Sequence, residues 1–305
     1  MHMSSKELIV LGTASQTPTK LRAHNGYIIR WENKLIMFDP GEGTQRQCML
    51  AGISIAKLNA ICITHFHGDH CLGLPGVIQR RSLDNNHNNT DTQLPIFFPG
   101  DGEQHYKSLA NASVFNDSSH LLPTPISGPG SVGHIDNIEI SVLPLEHRTT
   151  TYGYRLQEAD KQTFVKEELE RFGIAGPDIK QLKTNSEITV SGKTITINDV
   201  TETKKGSSIA FVMDTSYCEN AIELAKDVDL LICESTFADS EHELAEKYMH
   251  LTASQAGEIA NKAKAEKLVL THFSARYSDV EPLAIEARQH HSNVVAARDL
   301  DIIKF

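Results

Sequence analysis

The run His65-Phe66-His67-Gly68-Asp69-His70 constrains this chain more than any other six residues. Four side chains able to bind a metal directly follow the apolar stretch Ala60-Ile61-Cys62-Ile63-Thr64, which reads as a buried strand. His65 and His67 alternate along extended backbone and share one face. Asp69 and His70 come at a turn and aim at a second point close by. Imidazole and carboxylate donors suit zinc or a related divalent ion. The competing reading, a surface histidine cluster, has to contend with the rest of the chain. Ile138 to Leu145 ends near His147, Ser208 to Met213 ends at Asp214, and Lys267 to Thr271 ends at His272. Sites in open α/β sheets gather at the carboxyl ends of strands. Four such endings point to one convergent site.

Seven donors suggest two metals. His65, His67 and His147 hold one, Asp69, His70 and His272 hold the other, and Asp214 bridges with its two oxygens. Metals roughly 3.5–4 Å apart share a hydroxide and stabilise both attacking and departing oxygens. Asp69 can also accept the proton of that nucleophile. A departing alkoxide needs a proton donor, and His250, ahead of Leu251-Thr252-Ala253-Ser254, is the candidate. Glu234, in Ile232-Cys233-Glu234-Ser235-Thr236, is placed to orient it. A surface histidine at a helix end and a buried structural carboxylate are the bland alternatives for this pair.

The chain's 305 residues suffice for one large domain or two small ones. Hydrophobic content of 40% with 22% charged residues is an ordinary globular mixture, and no apolar stretch is long enough for a membrane span. Met1-His2-Met3-Ser4-Ser5 lacks a signal-peptide core, and its Met-His-Met has the look of an expression scar. A cytoplasmic location is the resulting expectation. The five cysteines form no C-x-x-C pair, which suits a reducing compartment and excludes a zinc ribbon. Cys71 reads as a small buried residue rather than a ligand. A net charge of −10 argues against wholesale nucleic-acid binding but leaves room for a local basic patch. Nine of the fifteen histidines, among them His24, lack strand-end context and read as surface or structural residues.

The patterning predicts opening strands over Lys6 to Gly12 and Gly26 to Asp39, turned at Glu32-Asn33-Lys34. Helices are expected over Thr44 to Ala51, Leu72 to Arg81 and Glu103 to Phe115, a polar loop over Asp84 to Thr92, and paired strands over Leu121 to Leu145. Strands Tyr152 to Leu156 and Ile188 to Ile197 flank helical spacing at Phe164 to Phe172 and Ile179 to Lys183, broken by Gly173-Ile174-Ala175-Gly176-Pro177. That excursion, about 156–184, is either a projecting arm or an ordinary helix-loop packed on the core. Later helices are expected over Asn220 to Lys226, Ala238 to Tyr248, Ala253 to Lys264 and Val280 to His290, within a single domain over 1–305.

H-x-H-x-D-H with the downstream His, Asp and His resembles the metallo-β-lactamase superfamily, and other segments resemble its ribonuclease Z family. Gly41-Glu42-Gly43-Thr44-Gln45-Arg46-Gln47 is similar to that family's G-E-G-T-Q-x-Q segment, and Pro18-Thr19-Lys20-Leu21-Arg22 to the segment upstream of it. Thr271-His272-Phe273-Ser274-Ala275-Arg276-Tyr277 resembles T-H-x-S-x-R-Y. Asp214-Thr215 matches G-D-T except for Met213; Cys233-Glu234-Ser235-Thr236-Phe237 matches H-E-A-T-F with two departures; His250-Leu251-Thr252 matches H-S-T with one.

The resemblance implies an αββα four-layer sandwich with a small projecting helical arm. It implies two Zn2+ per subunit, with Mn2+ or Mg2+ as substitutes, on His65, His67, Asp69, His70, His147, Asp214 and His272. It assigns proton acceptance to Asp69 and proton donation to His250. It implies a homodimeric endoribonuclease that removes the 3′ trailer of precursor tRNA by metal-hydroxide attack, leaving a 3′-hydroxyl tRNA and a 5′-phosphate trailer. The arm, with Gly176 and Pro177 near its tip, would grip the tRNA. Arg276 and Arg148, beside ligands, read either as phosphate contacts or as structural ion-pair residues. Rival readings are a small-molecule phosphodiesterase, lactonase or thioesterase on the same scaffold, or a non-catalytic RNA-binding relic.

Overall fold

Alternation along the strands builds the architecture. In the strand Lys34–Phe38, Ile36 and Phe38 turn to one face while Leu35 and Met37 turn to the other, and all four are buried. A strand buried on both faces needs a layer on each side. A computed structural model supplies them; it describes residues 6–88 and 92–305, so the expected scar at the start lies outside the described residues. One sheet runs, in order, Ile302–Lys304, Lys6–Gly12, Gly26–Trp31, Lys34–Phe38, Leu58–Cys62, Leu94–Pro99 and Leu121–Ile126. The other runs Val294–Ala296, Leu268–Thr271, Leu230–Glu234, Ser208–Val212, Thr151–Glu158, Ile138–Leu145 and Gly130–Ile135. Tyr27, Phe38, Tyr154, Phe211 and Ile232 fill the space between the sheets, where Tyr27 meets Phe211 edge-on with ring centres 5.2 Å apart.

The outward faces carry the helices. Met37, Ile61 and Ile63 pack with Cys48, Leu74, Val77 and Ile78 from helices Thr44–Leu50 and Leu74–Asn88. On the far side, Val212, Cys233 and Leu270 pack with Ala256, Ile259 and Ala260 of helix Ala253–Ala263 and Leu283 and Ala284 of helix Glu281–Arg288. The result is the expected αββα sandwich. Thr252 starts the first of these far-side helices, accepting from the Gln255 amide at 3.2 Å while the Gln255 side chain accepts from the Thr252 amide at 2.9 Å.

Several local expectations are corrected. The helix expected to stop at Arg81 runs to Asn88, into the segment read as loop; residues 89–91 of that segment lie outside the described residues. A tertiary contact and an in-helix pair outweigh the asparagine-rich composition: Asn85 donates to the Ser118 carbonyl at 2.8 Å, and Arg80 pairs with Asp84 one turn on at 3.0 Å. The helix at Glu103 ends at Ala110. Leu121 to Leu145 is not one paired set. Leu121–Ile126 lies parallel to Leu94–Pro99 in the first sheet, whereas Gly130–Ile135 and Ile138–Leu145 form a hairpin in the second. Ile188 to Ile197 is two strands, Glu187–Val190 and Lys193–Thr196, reversed at Ser191 and Gly192, whose φ values are 50° and 78°.

Residues 157–207 form a compact unit of their own. Two-stranded ribbons, Lys161–Phe164 with Thr201–Lys204 and Glu187–Val190 with Lys193–Thr196, accompany helices Lys166–Arg171 and Gly176–Asn185. Ile174, Leu182, Ile188, Ile195 and Val200 form its own core. Gly173, at φ 68°, ends the first helix, and Pro177 sits in the first turn of the second, where its missing N–H costs nothing. Gly176 and Pro177 are exposed there.

Candidate metal centre and cleft

Parallel neighbours bring strand ends to one edge. Lys34–Phe38 and Leu58–Cys62 are parallel, as are Ser208–Val212, Leu230–Glu234 and Leu268–Thr271. Asp39, His65, Asp214, Glu234 and His272 therefore leave the two sheets together. Asp39, Asp214 and His272 do so with φ of 44°, 44° and 59°, in the left-handed region that costs a non-glycine residue of order 1–3 kcal/mol. Such strain persists only where the surroundings over-determine it. Gly41 shows how tightly the edge is built: a Cβ there would lie 2.2 Å from the Asp69 carbonyl oxygen, and one at Gly73 would lie 1.9 Å from the Gly41 oxygen. The Pro40 to Gly43 turn thus rests directly on the short helix Gly68–Cys71 that carries Asp69 and His70.

The donors fall into two groups joined by one carboxylate. His67 Nδ1 lies 2.9 Å from His65 Nε2 and 3.3 Å from His147 Nε2, and Asp214 Oδ2 lies 3.5 and 3.7 Å from those two Nε2 atoms. Asp214 Oδ1 lies 3.3 Å from His70 Nε2 and 3.1 Å from His272 Nε2, while Asp69 Oδ2 stands 3.3 and 3.4 Å from the same nitrogens. Tetrahedral ligands about 2.0–2.1 Å from a zinc ion stand about 3.3 Å apart, and the observed spacings bracket that value. His65, His67, His147 and Asp214 form one group that can hold a metal, and Asp69, His70 and His272 form another. His250 joins Asp214 and His272 in a third, overlapping grouping. Cys71 is buried and bonds the His67 carbonyl at 3.2 Å, outside all of these groups.

Hydrogen bonds select which imidazole nitrogen faces the centre. His65 Nδ1 donates to Thr64 Oγ1 at 3.0 Å, whose hydroxyl donates to Asp39 Oδ2 at 2.8 Å. His70 Nδ1 donates to the same Asp39 oxygen at 2.8 Å, His147 Nδ1 to the Met249 carbonyl at 3.0 Å, and His272 Nδ1 to Thr236 Oγ1 at 2.8 Å. The Thr236 hydroxyl passes on to Glu234 Oε2 at 2.6 Å. Each arrangement turns Nε2 toward the centre as the nitrogen that would ligate a metal. His67 differs, because its Nδ1 is the nitrogen turned inward. Asp39, Thr64 and Thr236 were missed in the sequence. Asp39 carried a signal, an acidic residue at the end of a strand parallel to the one that leads to the histidines.

Electrostatics show what the cluster lacks. Burial holds His65, His67 and His147 below the ordinary imidazole range, so they are neutral. Burial also opposes charge on His70, but Asp214, Asp69 and Asp39 override it and raise its pKa well above the usual value. Against their own burial, Asp69 is lowered chiefly by His70, and Asp214 by His272 and His70. Asp39, Asp69 and Asp214 thus surround the His70 imidazolium, while the neighbouring charged imidazole, His250, is paired with Glu234. Asp214 Oδ1 and His272 Nε2 are buried without any hydrogen-bond partner, although they lie only 3.1 Å apart. Two orphaned lone-pair atoms facing a common point in a cation-poor cluster fit a divalent metal ion.

Glu234 and His250 stand beside this centre. His250 Nδ1 donates to Glu234 Oε1 at 3.0 Å, and Glu234 also accepts from the Thr215 amide at 2.7 Å and the Leu251 amide at 3.2 Å. Burial resists the charge on His250, yet Glu234 and then Asp214 carry its pKa up to about 9. The ring centre of His250 lies 5.1 Å from that of His147 and 5.4 Å from that of His272, and its edge lines a cleft of about 700 Å³. Asp69, Asp214 and His272 reach the same cleft, and so does His24, which the sequence reading set aside as a surface or structural residue. No strand-end pattern marks His24; it comes into the cleft on a loop. Arg276 also lines the cleft, held by Glu241 Oε1 at 2.5 Å and lying 5.1 Å from the Phe237 ring. Arg148 reaches the cleft over Tyr248 and donates to the Lys247 carbonyl at 2.7 Å.

Two packed sheets with outer helices and a His/Asp centre at one edge define a metallo-β-lactamase superfamily protein. Residues 19–152 match the family model described as Metallo-beta-lactamase superfamily, and 183–273 match that of the Beta-lactamase superfamily domain. The chain belongs to the ribonuclease Z family: it is 44% identical to Ribonuclease Z of Salinispora arenicola over 98% of this chain and 96% of the relative. Among solved structures, the metallo-beta-lactamase fold protein YhfI from Bacillus subtilis superposes with a TM-score of 0.71 at 19% identity, over 99% of this chain and all of that one. The short form of human tRNase Z superposes with a TM-score of 0.69 at 22% identity, over 97% of this chain and 98% of that one. These two share the fold. Among the described residues no helix is long and apolar enough to cross a membrane.

Proposed function

We propose that this protein is a metal-dependent endoribonuclease that removes the 3′ trailer from precursor tRNA, leaving a 3′-hydroxyl on the tRNA and a 5′-phosphate on the trailer. Family membership supplies the substrate class. The observation that carries the chemistry is the division of Asp214, one oxygen to each group of imidazoles, which suits a pair of ions bridged by one carboxylate. His65, His67 and His147 would hold one ion, Asp69, His70 and His272 the other; two Zn2+ per subunit is the proposed load, with Mn2+ or Mg2+ as substitutes. Bound ions supply Lewis acidity to the phosphoryl oxygens and acidify water.

The protein's own groups handle the protons and the placement. The Asp69 carboxylate, held ionised by His70, accepts a proton from the attacking water. The bond between phosphorus and the 3′-oxygen breaks as the new one forms. His250, charged near neutral pH and aimed by Glu234, gives its proton to that departing oxygen. Arg276 and Arg148 on the cleft wall offer guanidinium groups to flanking phosphates, Arg276 by exchanging Glu241 for the RNA. The excursion at about 156–184, which falls largely within the 157–207 unit and has Gly176 and Pro177 opening its second helix, is the proposed tRNA-gripping arm of a single metallo-β-lactamase-like domain. A homodimer in the cytoplasm completes the reading. Incubation of the metal-loaded protein with end-labelled precursor tRNA, followed by product-end mapping, tests it. Intact precursor at micromolar enzyme with metal bound abandons the assignment.

A further inference from the structure

Residues 13–24 form a loop with no helix or strand of its own beyond the isolated bridges of Ala14 to His24 and Phe273, and Gln16, Thr17, Pro18, Lys20 and Leu21 are exposed. Ser15, Gln16, Thr17 and His24 line the cleft. Thr13, Ala14 and Ser15 are buried, but the exposed stretch beyond them depends on specific hydrogen bonds to keep its shape. Its two ends are tied to one side chain. Thr13 Oγ1 donates to Asp299 Oδ1 at 2.7 Å, and the Ala23 amide donates to Asp299 Oδ2 at 2.6 Å. Asp299 lies almost three hundred residues further along the chain, in a turn that is itself pinned to the first sheet. Leu300 donates to the Val10 carbonyl at 2.7 Å and Val10 to the Asp301 carbonyl at 2.9 Å. The Arg298 amide closes the turn on Asp301 Oδ2 at 2.8 Å.

The same loop is coupled to the segment that bears a metal-site histidine. The Ser15 amide donates to the Phe273 carbonyl at 3.0 Å and the Phe273 amide to Thr13 at 2.8 Å. Arg22 donates to the carbonyls of Ser274 and Tyr277 at 3.1 and 2.5 Å, so its guanidinium is engaged in holding the wall. Within the loop, His24 Nε2 bonds the Gln16 carbonyl at 3.2 Å.

We infer that Asp299 is a positioning residue for RNA binding: by gripping both ends of the 13–23 loop it holds the Ser15–Thr17 wall and His24 in register with the centre. This rests on reading the cleft as the RNA site. Asp299 is not among the residues that line the cleft, and it bonds Thr13 and Ala23 rather than any of the metal-site residues. Its loss therefore loosens the wall that a long, many-contact substrate uses, while a small diester that meets only the centre is unaffected.

The test compares the wild type with Asp299→Ala and Asp299→Asn in the full metal-loaded protein. Asp299→Ala is expected to raise KM for precursor tRNA about tenfold, the equivalent of one charge-assisted hydrogen bond. Its kcat, metal content and turnover of bis(p-nitrophenyl) phosphate should stay within about twofold of wild type. Asp299→Asn should restore KM, because its amide oxygen accepts from Ala23 while the Thr13 hydroxyl turns to accept from its NH2. Hydrogen exchange at residues 14–24 should quicken in the Ala variant and not in the Asn variant. Thr13→Val, which removes one of the two ties, serves if the Ala variant does not fold. An unchanged KM, or an equal loss on RNA and small diester, overturns the inference. Should the wild type leave precursor tRNA intact, the functional reading falls instead, and unchanged exchange in 14–24 still decides against the loop claim.

Discussion

Replacing His250 by alanine separates metal binding from proton transfer. The ordinary imidazole pKa is 6.5, and Glu234 with Asp214 carries that of His250 to about 9. The difference corresponds to about 3 kcal/mol in favour of the charged ring. At pH 7 such a group is protonated about a hundred times out of a hundred and one. It therefore stands ready as an acid, and Glu234 fixes its direction through Nδ1. Bound cations oppose that charge, so in the metal-loaded protein the alkaline break in rate falls at or below about 9. Positioned general acids contribute roughly 100- to 10,000-fold. His250→Ala should thus slow precursor cleavage at least about 100-fold with the metal content near wild type, and should lower the melting temperature because Glu234 loses its buried charge partner. The rate of the wild type should fall as pH rises through the His250 pKa, because the donor loses its proton, and the variant should lack that limb. Single-turnover cleavage of end-labelled precursor from pH 6 to 10, with metal quantified by mass spectrometry on the same samples, reads both. Unchanged turnover, or an alkaline limb that survives in the variant, refutes the reasoning.

Asp214→Ala removes one donor from each group and should deplete both ions together, seen as a fall in total metal per chain; loss of a single ion, or of none, would contradict the bridging geometry. Thr236→Val cuts the link from His272 Nδ1 to Glu234 and should weaken metal retention about 10- to 100-fold in chelator competition, with the fold intact by circular dichroism. Arg81 is fully buried and donates to the carbonyls of Ala56, Leu58, Thr92 and Ser119, at the starts of three parallel strands. Arg81→Leu should destabilise the chain by on the order of 3–5 kcal/mol in denaturant unfolding while leaving metal stoichiometry unchanged, and a loss under 1 kcal/mol would count against that role.

How much could be read before the fold was known depends on how local each cause is. The ligand types and the strand ends were legible because a strand period, a terminal histidine and a turn occupy adjacent positions in the chain. The αββα layers came through the family resemblance, and the doubly buried pattern of Lys34–Phe38 explains them. Other features had no local signature. The helix through Asn85 extends because Ser118 receives its amide, and Leu121–Ile126 joins the first sheet because Leu94–Pro99 offers it an edge. His24 was passed over because it belongs to a loop whose course is set by distant partners.

Sequence alone determined which side chains meet: His65, His67, Asp69, His70, His147, Asp214 and His272, with His250 and Glu234 close by. Each sits at or just beyond the end of a strand or helix, or in the short helix Gly68–Cys71, and neighbouring residues dictate that. Tertiary structure decided how they meet. It chose Nδ1 of His67 but Nε2 of His65, and it gave His70 to Asp39 and His272 to Thr236. It also tied the cleft wall to Asp299. Those choices are hydrogen bonds between positions tens to hundreds of residues apart, and a hydrogen bond exists only once packing has brought its donor and acceptor within about 3 Å.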